Sequence, residues 1–346
     1  MSSPILAVDG LTIDFHTYDG VSRVVDNVSF EVGHGEVVGL VGESGCGKTV
    51  TLRAILGTLP IPPAKIVSGR ILFRGVDLRS LDDAQLQAVR KKEVALIPQD
   101  PMLSLNPVIS IETQMTNLLR WREFKDVTAA AYLKLRLDKQ GRLAAREKAL
   151  EMLRKVNIPD PERILKNYPF ELSGGMRQRV LIAMALLLQP SVIFADEPGT
   201  ALDVSIQDQI LDLVASRVRE ENVAVLFITH DLAVARRLCD RICVMYAGHI
   251  VEAADAKELF VNPTHPYTNG LMLCVPKLYG EIGTGIPGSV PNYYDPPSGC
   301  RFHPRCNYTM YVCDKVRPPL SRTESGSEHE VACHLYSVGR DYAPVS

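Results

Sequence analysis

The chain has 346 residues, enough for one large domain and a smaller second part, and its 46% hydrophobic content suffices for a packed core. A formal net charge of −2 gives no sequence-independent attraction to DNA or RNA, so no nucleic-acid partner is expected. The amino terminus lacks the features of a signal peptide, and the longest apolar run, residues 180–188, is too short to span a bilayer. We therefore expect a soluble protein whose link to any membrane runs through a partner.

The first forty residues have the pattern of β-strands. Residues 11–15 and 28–32 alternate apolar and polar side chains with the period of two that is typical of half-buried strands. Asp19-Gly20, between them, is a hairpin signal. An aromatic side chain here could stack on a nucleotide base, with Phe15 the first candidate and Tyr18 the second. Each could equally be an ordinary core or hairpin residue.

Residues 42–49 match the G-x-x-x-x-G-K-T pattern of a phosphate-binding loop and are here called the phosphate loop. The apolar run 36–41 suits a buried parallel strand, and residues 50–56 suit a helix. Glycines let the backbone approach phosphate closely, while backbone amides and the helix N-terminus attract it. The pattern predicts that Lys48 reaches the β- and γ-phosphates and that Thr49 holds Mg²⁺. The other nucleotide contacts predicted from this loop are Gly42, Ser44, Gly45, Cys46, Gly47 and Val50.

The middle of the chain is predicted to change from strands to helices. Strand candidates lie at 71–73 and 94–97. Helical spacing of apolar residues then dominates from about 111 to 165, most clearly over 129–137 and 143–156. The charged stretch between residues 121 and 143 is expected to be a solvated helix pair or loop.

Two short apolar segments end in residues that carry acid–base chemistry. Residues 191–195 run into Asp196 and Glu197, and residues 224–228 lead to His230. In α/β proteins the ligand lies at the carboxyl edge of the sheet, where such strands end. The sequence therefore predicts an α/β fold in which these three side chains lie near the phosphate loop.

In this order and spacing, the motifs resemble the nucleotide-binding subunit of an ATP-binding-cassette (ABC) transporter, over residues 5–255. The resemblance is specific because residues 172–178, Leu-Ser-Gly-Gly-Met-Arg-Gln, match the family's signature motif, which other phosphate-loop ATPases lack. It implies a P-loop ATPase domain over residues 1–255, with a helical subdomain at about 100–178. A small, loop-rich C-terminal extension (residues 256–346) is expected to follow.

The resemblance also implies a role for each motif residue. Gln99 would sense Mg²⁺ and the γ-phosphate, and Asp196 would hold Mg²⁺ together with Thr49 and Gln99. Glu197 would polarise the attacking water, and His230 would donate a hydrogen bond to the γ-phosphate. Lys48 and Mg²⁺ would neutralise the charge that develops during hydrolysis. The implied cofactors are thus ATP and Mg²⁺.

The signature motif implies that each ATP is bound between two subunits. Ser173, Gly174 and Gly175, with Asp203 of the D-loop, would contact the ATP that the other subunit's phosphate loop holds. The pair would close on ATP and open after hydrolysis. Related sequences usually carry Thr where this chain has Gly199, and we expect only a small effect on that turn.

Two segments, residues 99–107 and 262–267 with His265-Pro266-Tyr267, resemble the branch that imports di- and oligopeptides. This implies a peripheral subunit at the cytoplasmic face of the inner membrane. Its implied partners are two transmembrane permease subunits, a second ABC ATPase (a different one is favoured) and an extracytoplasmic solute-binding protein. Residues 99–107 would contact the permease.

Other functions stay open from sequence alone. Nickel, a glycoside or an opine are alternative solutes for an importer. An exporter is disfavoured by the His-Pro-Tyr extension. A non-transport ABC ATPase is disfavoured because the chain has one cassette and neither long coiled coils nor basic arms.

The C-terminal extension carries four of the eight cysteines. Their spacing lacks the C-x2-C pairs common in zinc sites, and disulfides are disfavoured in the cytosol. Four thiolates can hold a [4Fe–4S] cluster, and the pattern resembles the cluster-bearing tails of some peptide-importer ATPases. Zinc and unliganded thiols are the alternatives. Nearby His303 and His334 are expected to be ordinary surface histidines. The four cysteines are Cys300, Cys306, Cys313 and Cys333.

Overall fold

The structure is a computed structural model that describes residues 3–122, 138–198, 204–274, 285–323 and 328–336. The predicted helix at 129–137, Gly199 and Asp203 lie outside the described residues. The chain divides into two compact units, one of residues 1–80 with 226–346 and one of residues 81–225. The predicted domain division between residues 255 and 256 stays a prediction.

The strands and helices alternate along the chain. The strands are β1 (Leu6–Thr17), β2 (Gly20–Val32), β3 (Val37–Val41), β4 (Ala64–Phe73), β5 (Val76–Asp77), β6 (Val94–Ile97), β7 (Val192–Asp196), β8 (Ala224–Thr229), β9 (Arg241–Tyr246), β10 (His249–Asp255), β11 (Ser321–Arg322) and β12 (Glu330–Val331). The helices are α1 (Lys48–Ile55), α2 (Asp83–Glu93), α3 (Pro101–Ser104), α4 (Ile111–Arg122), α5 (Lys139–Lys155), α6 (Pro161–Lys166), α7 (Gly174–Leu187), α8 (Val204–Glu221), α9 (Leu232–Leu238), α10 (Ala256–Val261) and α11 (Pro266–Leu273).

The first unit contains an antiparallel sheet in the order β2-β1-β4-β5. Strands β1 and β2 form the hairpin predicted from Asp19-Gly20, with Thr17 opposite Gly20. Inward-facing Leu11, Ile13 and Val25 are fully buried, as the alternation of apolar and polar residues predicts.

A second sheet of this unit runs in the order β11-β12-β10-β9-β3-β8. Strand β3 is parallel to β9, and all five of its residues are buried, because a strand covered on both faces must be apolar throughout. Strand β10 lies antiparallel to β9 and pairs on its other side with β12, where Glu252 lies opposite Val331. The sheet therefore places the phosphate loop directly after a buried strand.

The described part of the C-terminal extension is rich in loops, as predicted. Beyond α11 it contains only two-residue strands and three-residue 3₁₀ turns. It is anchored by Glu252, whose fully buried carboxylate accepts hydrogen bonds from the backbone N–H groups of Thr264 (2.6 Å) and His265 (2.9 Å). His329 Nε2 lies 2.7 Å from the same carboxylate. A buried acid on β10 thus holds two distant parts of the extension.

In the second unit, β6 and β7 are parallel neighbours, with Ile97 opposite Ala195. The helices that follow β6 begin at side-chain caps. Asp138 accepts a hydrogen bond from Gly141 N, and Ser173 accepts one from Met176 N. Helix α7 is buried over most of its surface, which explains its continuous apolar sequence. Among the described residues, no helix is long and apolar enough to cross a bilayer.

Candidate functional site

The phosphate loop lies between β3 and α1, as the sequence predicts. A Cβ atom added to Gly42 would lie 2.1 Å from the carbonyl oxygen of Met245, so no larger residue fits there. Gly47, the N-cap of α1, has a φ of 110°, in the left-handed region that favours glycine. The loop therefore folds tightly onto the sheet and delivers a helix N-terminus, whose first amides have no partners within the helix.

Lys48 is held against the loop that precedes it. Its side chain is only 4% exposed, and its Nζ donates hydrogen bonds to the carbonyl oxygens of Gly42 (2.7 Å) and Glu43 (3.0 Å). Ser44 and Thr49 are exposed. The loop thus combines a buried ammonium with accessible hydroxyl groups, a combination suited to an anionic ligand and its metal counter-ion.

The second unit brings together two of the predicted site residues. Gln99 follows β6 and Glu197 follows β7, and Gln99 Nε2 donates a hydrogen bond of 3.1 Å to Glu197 Oε2. Asp196, the last residue of β7, is half-buried. Glu197 has a φ of 45°, which is uncommon for a residue other than glycine. Such a backbone conformation is often found where a side chain has a functional role.

The signature residues begin α7. Ser173 is exposed, and its Oγ caps the helix by accepting a hydrogen bond from Met176 N at 3.3 Å. Gly174 is half-buried and Gly175 is buried. Arg177 Nε donates to the carbonyl of Pro169 at 2.6 Å, which fixes the loop before the helix. The start of a fourteen-residue helix therefore lies at the surface with a small capping residue.

The remaining predicted residues lie in the first unit. His230 is exposed and directly follows β8, and the next residue, Asp231, caps α9 by accepting a hydrogen bond from Ala233 N at 2.8 Å. Phe15 is half-buried on β1, whereas Tyr18 is fully exposed in the hairpin turn. Which aromatic ring stacks on a base stays a prediction.

The four cysteines of the C-terminal extension line one small cavity, together with Phe302, His303 and His334. Burial raises the pKa of Cys300 to about 11 and that of Cys333 to about 12, and the neighbouring thiols raise both further. Among the described residues, no group of three or more His, Cys, Asp or Glu is arranged to hold a metal ion. The predicted metal ligands are thus gathered around one cavity, without a preformed single-ion site. The four are Cys300, Cys306, Cys313 and Cys333.

The expectation of two surface histidines was wrong for His334. Its side chain is 3% exposed, and its Nε2 lies 2.8 Å from the carbonyl oxygen of Val316. His303 is half-buried, with Nδ1 2.9 Å from the carbonyl oxygen of Cys300. Both rings help to fix the loops that carry the cysteines, a packing role that local sequence does not reveal.

Sequence reasoning missed three side chains of the C-terminal extension that contact the phosphate loop. Arg305 forms an ion pair with Glu43, Tyr293 donates a hydrogen bond to the carbonyl of Gly45, and Tyr267 accepts one from Glu43 N. The only signal in the sequence was the His-Pro-Tyr segment that contains Tyr267. The consequences of these contacts are developed below.

Comparisons with known proteins agree with this geometry. Residues 25–200 match the ABC transporter family, and residues 251–313 match the family described as "Oligopeptide/dipeptide transporter, C-terminal region". The dipeptide transport ATP-binding protein DppD of Bacillus subtilis is 43% identical, over 99% of this chain and 98% of that protein. A probable peptide ABC transporter ATP-binding protein of Sinorhizobium fredii is 45% identical, over 95% of this chain and 94% of its own length.

A solved structure gives the same assignment from the fold. The ATP-binding cassette MJ0796, solved as a dimer in a post-hydrolysis state with ADP and phosphate, matches with a TM-score of 0.60 and 26% identity. The match covers 72% of this chain and 98% of that one. The family and the P-loop ATPase fold predicted from sequence are thus confirmed. The chain belongs to the ABC transporter family, among the ATP-binding subunits that carry the oligopeptide/dipeptide transporter C-terminal region.

Proposed function

We propose that this chain hydrolyses ATP to power the import of dipeptides or oligopeptides. The observation that carries the proposal is the presence, in one chain, of an ABC match and of the oligopeptide/dipeptide C-terminal match. Relatives that cover nearly the whole chain are named for dipeptide and peptide transport. The hydrolytic residues Lys48, Asp196, Glu197 and His230 are all present.

The proposed reaction is attack of water on the γ-phosphoryl group of ATP. Glu197 polarises the water, and Gln99, already hydrogen-bonded to that carboxylate, couples it to the γ-phosphate. Lys48 leaves the carbonyls of its own loop to reach the β- and γ-phosphates, and His230 donates a hydrogen bond to the γ-phosphate. Mg²⁺, held through Thr49, Gln99 and Asp196, neutralises developing charge when it is bound.

The active form is proposed to be a head-to-tail pair of ATPase subunits. The exposed Ser173 at the start of α7 would contact the ATP that the partner's phosphate loop holds, together with Gly174, Gly175 and Asp203. The helix N-terminus supports this role because its free amides favour a negatively charged group. The partner is proposed to be a different ATPase of the same family.

The permease contact is proposed to lie on residues 99–107. Within this stretch Met102 is 58% exposed and Leu103 is 87% exposed, and Val108, just beyond it, is 79% exposed. Neighbouring exposed apolar side chains of this kind are typical of a protein–protein contact. We therefore place the chain at the cytoplasmic face of the inner membrane, bound to two permease subunits that receive solute from an extracytoplasmic binding protein.

The four cysteines are proposed to ligate a [4Fe–4S] cluster. Support comes from the cavity that they share and from thiol pKa values that burial and neighbouring thiols raise, because four thiolates so close together need a cationic centre between them. A single zinc ion requires four sulfurs at about 2.3 Å from one point, whereas a cluster holds its ligands farther apart. The lack of a preformed single-ion site therefore weighs against zinc.

Transport by the assembled complex tests the proposed function. The complex should be reconstituted in vesicles with its permease and binding protein and supplied with labelled dipeptide, oligopeptide, glycoside or nickel. ATP-dependent uptake of a peptide supports the proposal. Uptake of nickel or a glycoside alone would replace the solute while leaving the ATPase function intact. Outward movement would contradict an importer.

Anaerobic purification followed by iron, sulfide and zinc analysis tests the cluster. About four irons with matching sulfide, and their loss in a Cys306→Ala variant, are expected. One zinc per chain would assign a structural zinc site instead. Metal-free protein would leave four buried thiols.

A further inference from the structure

Arg305 of the C-terminal extension is bound directly to the phosphate loop. Its Nη1 and Nη2 lie 2.7 and 3.1 Å from the two carboxylate oxygens of Glu43, the second residue of the loop. The arginine side chain is only 6% exposed. A two-point guanidinium–carboxylate contact fixes both position and orientation, and burial shields it from solvent screening.

Two tyrosines hold the same loop through its backbone. Tyr293 donates its hydroxyl to the carbonyl of Gly45 at 2.8 Å, and the backbone N–H of Glu43 donates to the hydroxyl of Tyr267 at 2.9 Å. Tyr267 is fully buried, and its ring packs against Tyr246 and Phe302. The extension therefore contacts both a side chain and the main chain of the loop.

These contacts fall on the part of the loop that has the least support of its own. Gly45 has a φ of 81°, and a Cβ added there would meet no atom within 4 Å. A glycine-rich segment with open space around it is free to sample many conformations unless something outside it restrains it. A loop already held in its binding shape spares the ligand that ordering cost.

The arginine is also fixed from its other side. Its Nε donates to the carbonyl of Pro287, and its Nη2 lies 3.2 Å from the carbonyl of Ile286. The next residue in the chain is Cys306, which lines the cavity shared by the four cysteines. The orientation of the guanidinium therefore depends on the folded loops of the extension.

We propose that Arg305, Tyr293 and Tyr267 are positioning residues that hold the phosphate loop in its ATP-binding shape. The extension thereby sets the affinity of this subunit for ATP. The proposal rests on the proposed function only in assuming that this loop binds the phosphates of ATP. It assigns to the extension a task in nucleotide binding that is separate from any group held by its cysteines.

The adjacent tyrosines 293 and 294 provide a matched test. The Tyr294 hydroxyl lies 2.8 Å from Thr17 Oγ1 and does not touch the loop. Tyr293→Phe therefore removes one hydroxyl from the loop, and Tyr294→Phe removes one from elsewhere in the same segment. Arg317→Gln is the matched control for Arg305→Gln, because Arg317 pairs with Asp26 on β2.

The dissociation constant of Mg²⁺-ATP should be measured by calorimetry on each full-length chain, with thermal melting in parallel. Tyr293→Phe is expected to weaken ATP binding about two- to tenfold, and Arg305→Gln about tenfold or more. Tyr294→Phe and Arg317→Gln should bind ATP like the wild type. Arg305→Lys, which keeps the charge, should recover part of the affinity that Arg305→Gln loses.

Wild-type affinity in both Tyr293→Phe and Arg305→Gln would overturn the proposal. Equal weakening in the two control variants would also overturn it, because the cause would then be general loosening of the extension. If Arg305→Gln does not fold, Tyr293→Phe alone decides. Failure of the proposed function has a different signature: the wild type itself would not bind ATP, or Lys48→Ala would bind it unchanged.

Discussion

Gln99 and Glu197, ninety-eight positions apart in the chain, are joined by a hydrogen bond of 3.1 Å from amide to carboxylate. The bond forms because β6 and β7 are parallel neighbours that end at the same edge. The residue that would sense the γ-phosphate is thereby in direct contact with the residue that would activate water. Movement of one side chain must change the environment of the other.

The variant Glu197→Gln is expected to lower ATP turnover by about 10²- to 10⁴-fold, because the amide cannot accept the proton of the attacking water. ATP binding should persist, so the assembled complex should accumulate in an ATP-bound, paired state. Steady-state hydrolysis by the complex measures the first effect, and size analysis with ATP measures the second. Glu162→Gln, at an exposed position on α6, is the control. Turnover close to that of the wild type would remove Glu197 from the mechanism.

The substitution Leu103→Asp is expected to abolish stable assembly with the permease while leaving ATP binding by the isolated chain unchanged. A charge at an 87% exposed apolar position costs nothing in the free chain but must be desolvated in a contact. Co-purification with the permease measures the effect. Leu143→Asp, at a residue that is 64% exposed on α5, should assemble normally. Normal assembly of both variants would place the contact elsewhere.

Gly42→Ala and Gly45→Ala should differ although both lie in the phosphate loop. At Gly42 the new methyl would lie 2.1 Å from the carbonyl oxygen of Met245, so we expect a loss of about 3 kcal/mol or more. At Gly45 space is open, and only the φ of 81° is unfavourable, at about 1–2 kcal/mol. Denaturant unfolding of the two variants would check the order, and equal losses would show that the loop shifts to admit Gly42→Ala.

Acid should destabilise the protein through two buried histidines. Burial lowers the pKa of both His265 and His249 to about 4, against about 6.5 in an unfolded chain. Between these values the unfolded chain binds protons that the folded chain does not, so stability present above pH 6.5 is lost as the pH falls towards 4. Each histidine contributes at most about 3 kcal/mol to this loss.

The charges around each histidine oppose the effect of burial only in part. The Glu252 carboxylate favours protonation of His265, and Asp26 favours that of His249, which Arg301 and Arg317 oppose. Denaturant midpoints at pH 7, 6 and 5 measure the loss. His265→Asn keeps a capping acceptor for α11 and should make the decline with pH shallower. Midpoints that do not change from pH 7 to pH 5 would contradict this prediction.

The elements that sequence predicted well are those set by local patterns. The alternation in β1 and β2, the apolar strands β3 and β7, and the apolar run within α7 all lie where expected. Boundaries were less accurate: β4 begins at Ala64, whereas the predicted strand began at residue 71. The additional residues are mostly exposed and therefore carry no apolar signal.

Long-range contacts could not be predicted in this way. Arg305 and Glu43 are 262 positions apart, and neither belongs to a periodic segment. The His-Pro-Tyr segment was recognised by resemblance alone, and the structure supplies its physical meaning. His265 caps α11 through Nδ1, Pro266 begins the helix, and Tyr267 reaches the phosphate loop. Only the folded chain brings these three roles together.

The pairing of β12 with β10 has a practical consequence for shortened versions of the protein. Ala332 N also donates to the carbonyl of Val251, so the C-terminal extension covers the outer rim of a strand whose side chains are nearly all buried. Cutting the chain after Asp255 would leave a bare, apolar strand edge ready to add strands from other molecules. Such a fragment would be expected to precipitate, and an exchange of ATPase parts between transporters should therefore carry both segments together.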